Sequence, residues 1–128
     1  MMHVSAGRPY LIPASKLMAI EVTHDPVSTT ISLCGTFDRS ERSAFDRVME
    51  SAEQASAGII VDLRRCHNCD SSSIILMLHH KRSLGERLQI VVPEGGPVRR
   101  ILDVSGLTRR LAVTTTVERA RELLLVSL

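Results

Sequence analysis

Apolar and polar residues alternate along two early stretches of the chain, as they do in strands that have one buried face. Residues 18–23 and 27–34 each place their alternate apolar side chains on one face, and His24-Asp25-Pro26 separates the two stretches. The break is short enough for a reversal of the chain. The pattern therefore predicts an antiparallel hairpin.

A helical period replaces this alternation after Gly35. Asp38 and Glu41 have the spacing of a capping box, in which each side chain accepts a hydrogen bond from a backbone N–H at the start of a helix. Residues 40–55 then carry one apolar stripe, which consists of Ala44, Phe45, Val48, Met49, Ala52 and Ala55. The spacing predicts an amphipathic helix over 40–55.

The middle of the chain is typical of a parallel β-α-β unit. Ile59, Ile60 and Val61, together with Leu63, form an apolar run that is rich in β-branched residues and follows Gly58, as expected of a strand that is buried on both faces. A second apolar run, 74–78, leads into the basic residues of a helix C-terminus, and residues 88–92 form the next strand.

The C-terminal third predicts a short helix from Pro97, a last short strand at 111–113, and a final helix with a capping box at Thr115 and Glu118. The predicted order is ββαβαβαβα, which is an α/β fold with a mixed sheet of about five strands and about four helices packed against it.

We expect one domain over 17–128. Residues 1–16 show little periodicity, and we expect a mobile N-terminal arm there.

Composition narrows the class of protein. Aromatic residues are scarce in the 128-residue chain, with one Tyr, two Phe and no Trp, which argues against a platform for stacking single-stranded nucleic acid. The formal net charge is +2, and scattered arginine pairs such as Arg99-Arg100 are typical of a solvated face, so we expect no direct binding of nucleic acid.

Cysteine usage and hydropathy bear on location. Three cysteines, Cys34, Cys66 and Cys69, do not make a disulfide framework in a chain of this size, which favours a reducing compartment. No apolar run approaches the ~20 residues that span a bilayer. We therefore expect a cytoplasmic protein without a membrane segment.

The candidate chemistry lies between the central strand and the helix that follows it, in Cys69-Asp70-Ser71-Ser72-Ser73. Asp and Ser cap helices, because their oxygens accept from N–H groups that lack a partner in the first turn. Ligands bind at the carboxyl ends of strands in open α/β sheets, where helix N-termini favour anions. Three hydroxyls there either cap the helix, bind an anion or accept a phosphoryl group.

These features together resemble the STAS domain, and within it the anti-sigma factor antagonists. The resemblance rests on the Gly35-x-Phe37-Asp38 turn, the strand containing Asp62, the Asp70-Ser71-Ser72 turn and the later Ser105-Gly106-Leu107, in this order along the chain. It covers about Met18 to Leu124.

The resemblance implies a non-enzymatic binding protein without a cofactor. Its partner would be an anti-sigma factor of the serine-kinase type, which phosphorylates the first serine after the Asp, here Ser71. The unphosphorylated form would bind the anti-sigma factor and release a sigma factor, and phosphorylation would end that binding. Asp38, Asp70, Ser72 and Ser73 would form the partner-binding surface, and an edge strand near Met18 makes a homodimer possible.

Two other functions stay open. The family usually has Gly where this chain has Ser73, and a bulky apolar residue where it has Cys69, so a STAS scaffold or sensor that is not phosphorylated is one alternative. The other is a thioredoxin-like thiol-disulfide oxidoreductase, because Cys66-His67-Asn68-Cys69 is a C-x-x-C motif between a strand and a helix. We expect no metal site, since the histidines of 79–80 lie two helical turns away.

Overall fold

A computed structural model describes residues 9–13 and 17–127 of the chain. Its strands are β1 (Tyr10–Pro13), β2 (Met18–His24), β3 (Ser28–Phe37), β4 (Gly58–Asp62), β5 (Cys66–Cys69) and β6 (Leu88–Val91). Its helices are α1 (Arg42–Ala55), α2 (Ser71–Leu84), α3 (Pro97–Val104), α4 (Leu107–Leu111) and α5 (Val117–Ser127), and 3-10 turns at Arg39–Glu41 and Gly85–Arg87 precede α1 and β6.

The six strands form one mixed sheet. Its order is β1-β2-β3-β4-β6, in which β1, β2 and β3 are antiparallel neighbours and β3, β4 and β6 are parallel neighbours. The predicted hairpin of β2 and β3 and the predicted parallel unit of β4, α2 and β6 are both present. The α/β class predicted from the sequence is confirmed.

The ten-residue strand β3 is long enough to pair with two partners in succession on the same side. β4 pairs with its first half, Ser28–Ser32, and β5 pairs with its end, from Gly35 to Phe37, after a register shift at Gly35/Thr36. The chain thus leaves β4 at Asp62, turns, and returns to the same neighbour as β5. This path brings the start of α2 to the end of β3.

Apolar side chains pack on both faces of the sheet. Ile59 and Val61 of β4 belong to the larger cluster, which contains the buried residues of α1, α2 and α3. Ile60, between them, points to the opposite face and packs with Val91 and the buried side of α5, which consists of Val117, Ala120 and Leu124. Because β4 is covered on both faces, its sequence reads as a continuous apolar run.

Three parts of the fold differ from the sequence prediction. Tyr10–Pro13 forms β1, although we expected little order before residue 17; the rest of that predicted arm, residues 1–8 and 14–16, lies outside the described residues. Residues 66–69 form β5 rather than a turn. A strand at 111–113 is absent, because Leu111 ends α4 and Ala112 has a φ of 51°, and the only pairing there is a bridge between Val91 and Thr114.

The cap of the last helix also lies one residue later than predicted. Thr116 Oγ1, rather than Thr115, accepts from the backbone N–H of Arg119 at 3.1 Å.

None of the helices in the described residues has the length and apolar character that crossing a membrane requires.

Candidate functional site

Two parallel strand ends bring Asp38 and Asp70 to the same edge of the sheet. β3 and β5 pair with Phe37 opposite Cys69, so the next residue of each strand leaves the sheet at the same place. The backbone N–H of Asp70 donates to the carbonyl of Phe37 at 3.2 Å, which continues the pairing by one step. The two aspartates, far apart in sequence, are therefore neighbours because of β5.

The Asp70 carboxylate caps α2 and joins it to the 3-10 turn at Arg39–Glu41. Oδ1 accepts from the N–H of Ser73 at 2.8 Å and from the hydroxyl of Ser72 at 2.9 Å. Oδ2 accepts from the backbone N–H of Arg39 at 3.1 Å. One side chain thus satisfies an otherwise unpaired N–H of the helix and holds the Asp38 turn against it.

Asp38 caps the 3-10 turn that leads into α1, with the capping box that the spacing predicts. Its Oδ1 accepts from the N–H of Ser40 at 2.8 Å, and its own backbone N–H donates to Glu41 Oε2 at 3.3 Å. The loop that carries Asp38 is consequently fixed at both ends of the turn.

Both aspartates are held in the charged form. The hydrogen bond from the backbone N–H of Ser40 favours the charged carboxylate of Asp38 and lowers its pKa. Partial burial acts to raise the pKa of Asp70, but the donors from Ser73, Ser72 and Arg39 outweigh it, and the pKa of Asp70 is lowered. The edge of the site that faces solvent therefore carries two negative charges at neutral pH.

The three serines at the start of α2 have different surroundings. Ser71 is exposed, and Ser72 is partly buried with its hydroxyl bound to Asp70. Ser73 is 0% exposed, and its Oγ has no hydrogen-bond partner among the residues that the structure describes. Ser73 has no positive φ and lies within the helix, so a residue other than Gly fits there without backbone strain. Of these three serines, Ser71 is the one with an exposed hydroxyl, and it makes no hydrogen bond to any described residue.

Glu41 is part of the site in a way that the sequence analysis did not predict. Its side chain is 0% exposed, and its Oε1 has no hydrogen-bond partner in the described part of the chain. The spacing identified its role in the capping box but not its burial. The burial of Glu41 could have been predicted from the sequence. Ala44, Phe45 and Val48 follow it at +3, +4 and +7, and this spacing places Glu41 on the apolar face of α1.

Cys66 and Cys69 differ from the nucleophilic thiols of thioredoxin-like proteins in both their position and their pKa. Both are buried at the two ends of β5 rather than at the first turn of a helix, and neither forms a disulfide. Burial raises the pKa of Cys66, and burial together with the nearby Cys66 and Asp70 raises the pKa of Cys69 to about 12. Nucleophilic thiols need a lowered pKa, so the geometry disfavours an oxidoreductase.

Comparison with protein families matched residues 20–118 to a family described as Mlab, STAS domain. A search of curated protein sequences found no match.

Several solved structures share the fold. An anti-sigma factor antagonist from Mycobacterium paratuberculosis aligns over 94% of both chains with a TM-score of 0.68 and 17% identity. The anti-sigma factor antagonist SpoIIAA in its unphosphorylated form aligns over 94% of this chain and 98% of its own, with a TM-score of 0.60 and 20% identity. The Bacillus cell fate determinant SpoIIAA in its phosphorylated form aligns over 90% and 97%, with a TM-score of 0.54 and 21% identity.

Proposed function

The chain belongs to the STAS domain family, and we propose that within it the protein is an anti-sigma factor antagonist that phosphorylation of Ser71 switches off. Its partner is an anti-sigma factor of the serine-kinase type. In the unmodified form it binds this partner and so releases a sigma factor. Solved structures of antagonists with the same fold, one of them in a phosphorylated form, support the proposal.

The observation that carries the proposal is the accessibility of Ser71. A kinase must bring the acceptor hydroxyl in line with the γ-phosphate of ATP, which requires a side chain that is exposed and free to move. Ser71 meets this requirement, whereas Ser72 is bound to Asp70 and Ser73 is buried. The acceptor is therefore the first of the three serines.

The position of Ser71 explains how a phosphate would act without unfolding the domain. Ser71 is the first residue of α2, and a helix N-terminus carries partial positive charge that stabilises an anion. The phosphate adds about −1.5 to −2 charge at neutral pH. Because Asp38 and Asp70 are already charged beside it, the modified surface becomes strongly negative and no longer fits a partner adapted to the unmodified one.

The proposed contact surface consists of Asp38, Asp70, Ser71 and Ser72. Ser73, which the sequence analysis included, is not part of it, because a buried side chain does not reach a partner. Ser73 instead packs beneath the surface.

The first experiment is phosphorylation with ATP and each serine-kinase-type anti-sigma factor from the source organism, followed by peptide mapping with mass spectrometry. We expect one phosphate on Ser71, none in Ser71→Ala, and normal labelling in the matched control Ser83→Ala, which changes an exposed serine at the other end of α2 and outside the proposed contact surface. A phosphate on Ser72 in the unmodified sequence would contradict the assignment. Binding of an anti-sigma factor without any labelling would instead favour a scaffold or sensor role.

A second experiment separates the switch from the fold. We expect Ser71→Asp to keep the circular dichroism spectrum and the cooperative unfolding of the wild type, because the added charge lies at a helix N-terminus. Its affinity for the anti-sigma factor is expected to fall at least about tenfold. A Ser71→Asp protein that is unfolded would refute the physical account of the switch.

A further inference from the structure

A crevice of about 150 Å³ lies between α1 and the β1–β2 side of the sheet, away from the Ser71 site. It exists because α1 packs over the centre of the sheet and β1 extends the sheet beyond it. The apolar lining comes from both elements, and consists of Ile12, Val22, Ala44, Val48 and Ala52.

Polar groups form part of the rim, and most of them are already engaged. Tyr10 Oη and His24 Nε2 are 3.1 Å apart, His24 Nδ1 and Thr29 Oγ1 are 2.9 Å apart, and Thr29 Oγ1 and Ser56 Oγ are 2.6 Å apart. Both nitrogens of the imidazole and the buried Thr29 hydroxyl therefore have partners within the chain. These hydrogen-bonded side chains form one side of the crevice, and they do not need a ligand to satisfy their polar atoms.

Arg47 differs from these groups. It lines the crevice from α1, its side chain is exposed, and it makes no hydrogen bond or ion pair with any described residue. Asp25 and Glu21, acidic residues of the β2–β3 region, are paired with Arg121 and Arg65 instead. A guanidinium at the mouth of an apolar crevice has the geometry to hold a carboxylate by two parallel hydrogen bonds.

We propose that the crevice binds a small monocarboxylate with a ring-sized apolar body, whose carboxylate pairs with Arg47. The volume supports this size, because an apolar cavity of about 150 Å³ in another protein holds benzene. The body of the ligand lies between Val22 and Val48, and the charge stays at the rim, where water and Arg47 solvate it. The proposal does not depend on the function of Ser71.

The test uses the full chain and sodium benzoate, with benzyl alcohol as the uncharged probe of the same size. We expect benzoate to cause saturable NMR shifts at Ile12, Val48 and Ala52, with a dissociation constant in about the high-micromolar to millimolar range. Arg47→Gln should weaken benzoate at least about tenfold and leave benzyl alcohol unchanged. The matched control Arg42→Gln, an exposed arginine of the same helix outside the crevice, should change neither.

A filled crevice gives a second measurement. Ala44→Leu adds apolar volume to the lining and should abolish the shifts from both probes. If Ala44→Leu fails to fold, Arg47→Gln still tests the proposal, because the Arg47 side chain is exposed and can be replaced without disturbing the core. Absence of saturable shifts from benzoate, or equal affinity of wild type and Arg47→Gln, would overturn the proposal.

Discussion

Replacement of Asp70 tests whether one carboxylate holds the site together. In Asp70→Ala, α2 loses its N-cap, which costs about 1 kcal/mol, and the N–H of Arg39 loses its acceptor, which costs about 1 kcal/mol more. The Ser72 hydroxyl is partly exposed and finds water instead. We therefore expect the free energy of unfolding to fall by about 2 kcal/mol.

The corresponding change in the melting temperature follows from the size of the chain. For 128 residues the entropy of unfolding is about 0.27 kcal/mol/K, so Tm should fall by about 7 °C. Asp70→Asn keeps an oxygen that accepts from the N–H of Ser73, and it should cost less than about 1 kcal/mol. Urea unfolding followed by circular dichroism measures both variants.

The pH dependence gives an independent check. Donors around Asp70 lower its pKa in the folded state, so the unfolded chain binds this proton more readily than the folded one. The stabilisation is present above the ordinary Asp pKa of about 3.9 and is lost as the pH falls through the lower pKa of the folded state. Between pH 5 and pH 3, wild type should lose more stability than Asp70→Asn.

The matched control is Glu94→Ala, which removes an exposed carboxylate from the loop before α3. It should stay within about 0.5 kcal/mol of wild type. The reasoning would be refuted if Asp70→Ala were as stable as wild type, or if Glu94→Ala were destabilised to the same extent.

Two further predictions concern residues outside the serine turn. Gly35→Ala should lose about 3 kcal/mol or more in urea unfolding, because Gly35 has a φ of +109° and a Cβ there would overlap the carbonyl oxygen of Leu17; Gly95→Ala, where a Cβ has open space, should lose less than about 1 kcal/mol. Iodoacetamide at pH 8 should label Cys34, which is partly exposed, well before Cys69, whose pKa of about 12 leaves about one thiolate in 10⁴. Rapid labelling of Cys69 in the folded protein, read by peptide mass spectrometry, would show that burial does not protect it.

The parts of the fold that the sequence predicted depend on local pattern. The capping box of Asp38 and Glu41 and the start of α2 at Ser71 were predictable, because their hydrogen bonds join residues within four positions of each other. The apolar run in β4 likewise indicates, from the local sequence alone, that both faces of this strand are buried.

The parts that were missed depend on distant pairing. Tyr10–Pro13 has no strand pattern and is held as β1 by β2, and Cys66–Cys69 is held as β5 by the end of β3. The run at 111–113 is too short for its period to separate a strand from a helix end, and Ala112 adopts a left-handed conformation. The proximity of Asp38 and Asp70 follows from β5, so in this chain it was implied by family resemblance rather than by spacing.

The central claim is that a phosphate on Ser71 ends the binding of the anti-sigma factor. The most direct measurement is isothermal titration calorimetry of that partner with the unmodified protein and with protein that carries phosphoserine at position 71, incorporated during translation. A matched protein with phosphoserine at position 83, an exposed serine at the other end of α2 and outside the proposed contact surface, serves as the control for charge alone and should bind like the unmodified form. The account predicts that phosphoserine at 71 weakens binding at least about tenfold, and equal affinity of the unmodified and Ser71-phosphorylated forms would contradict it.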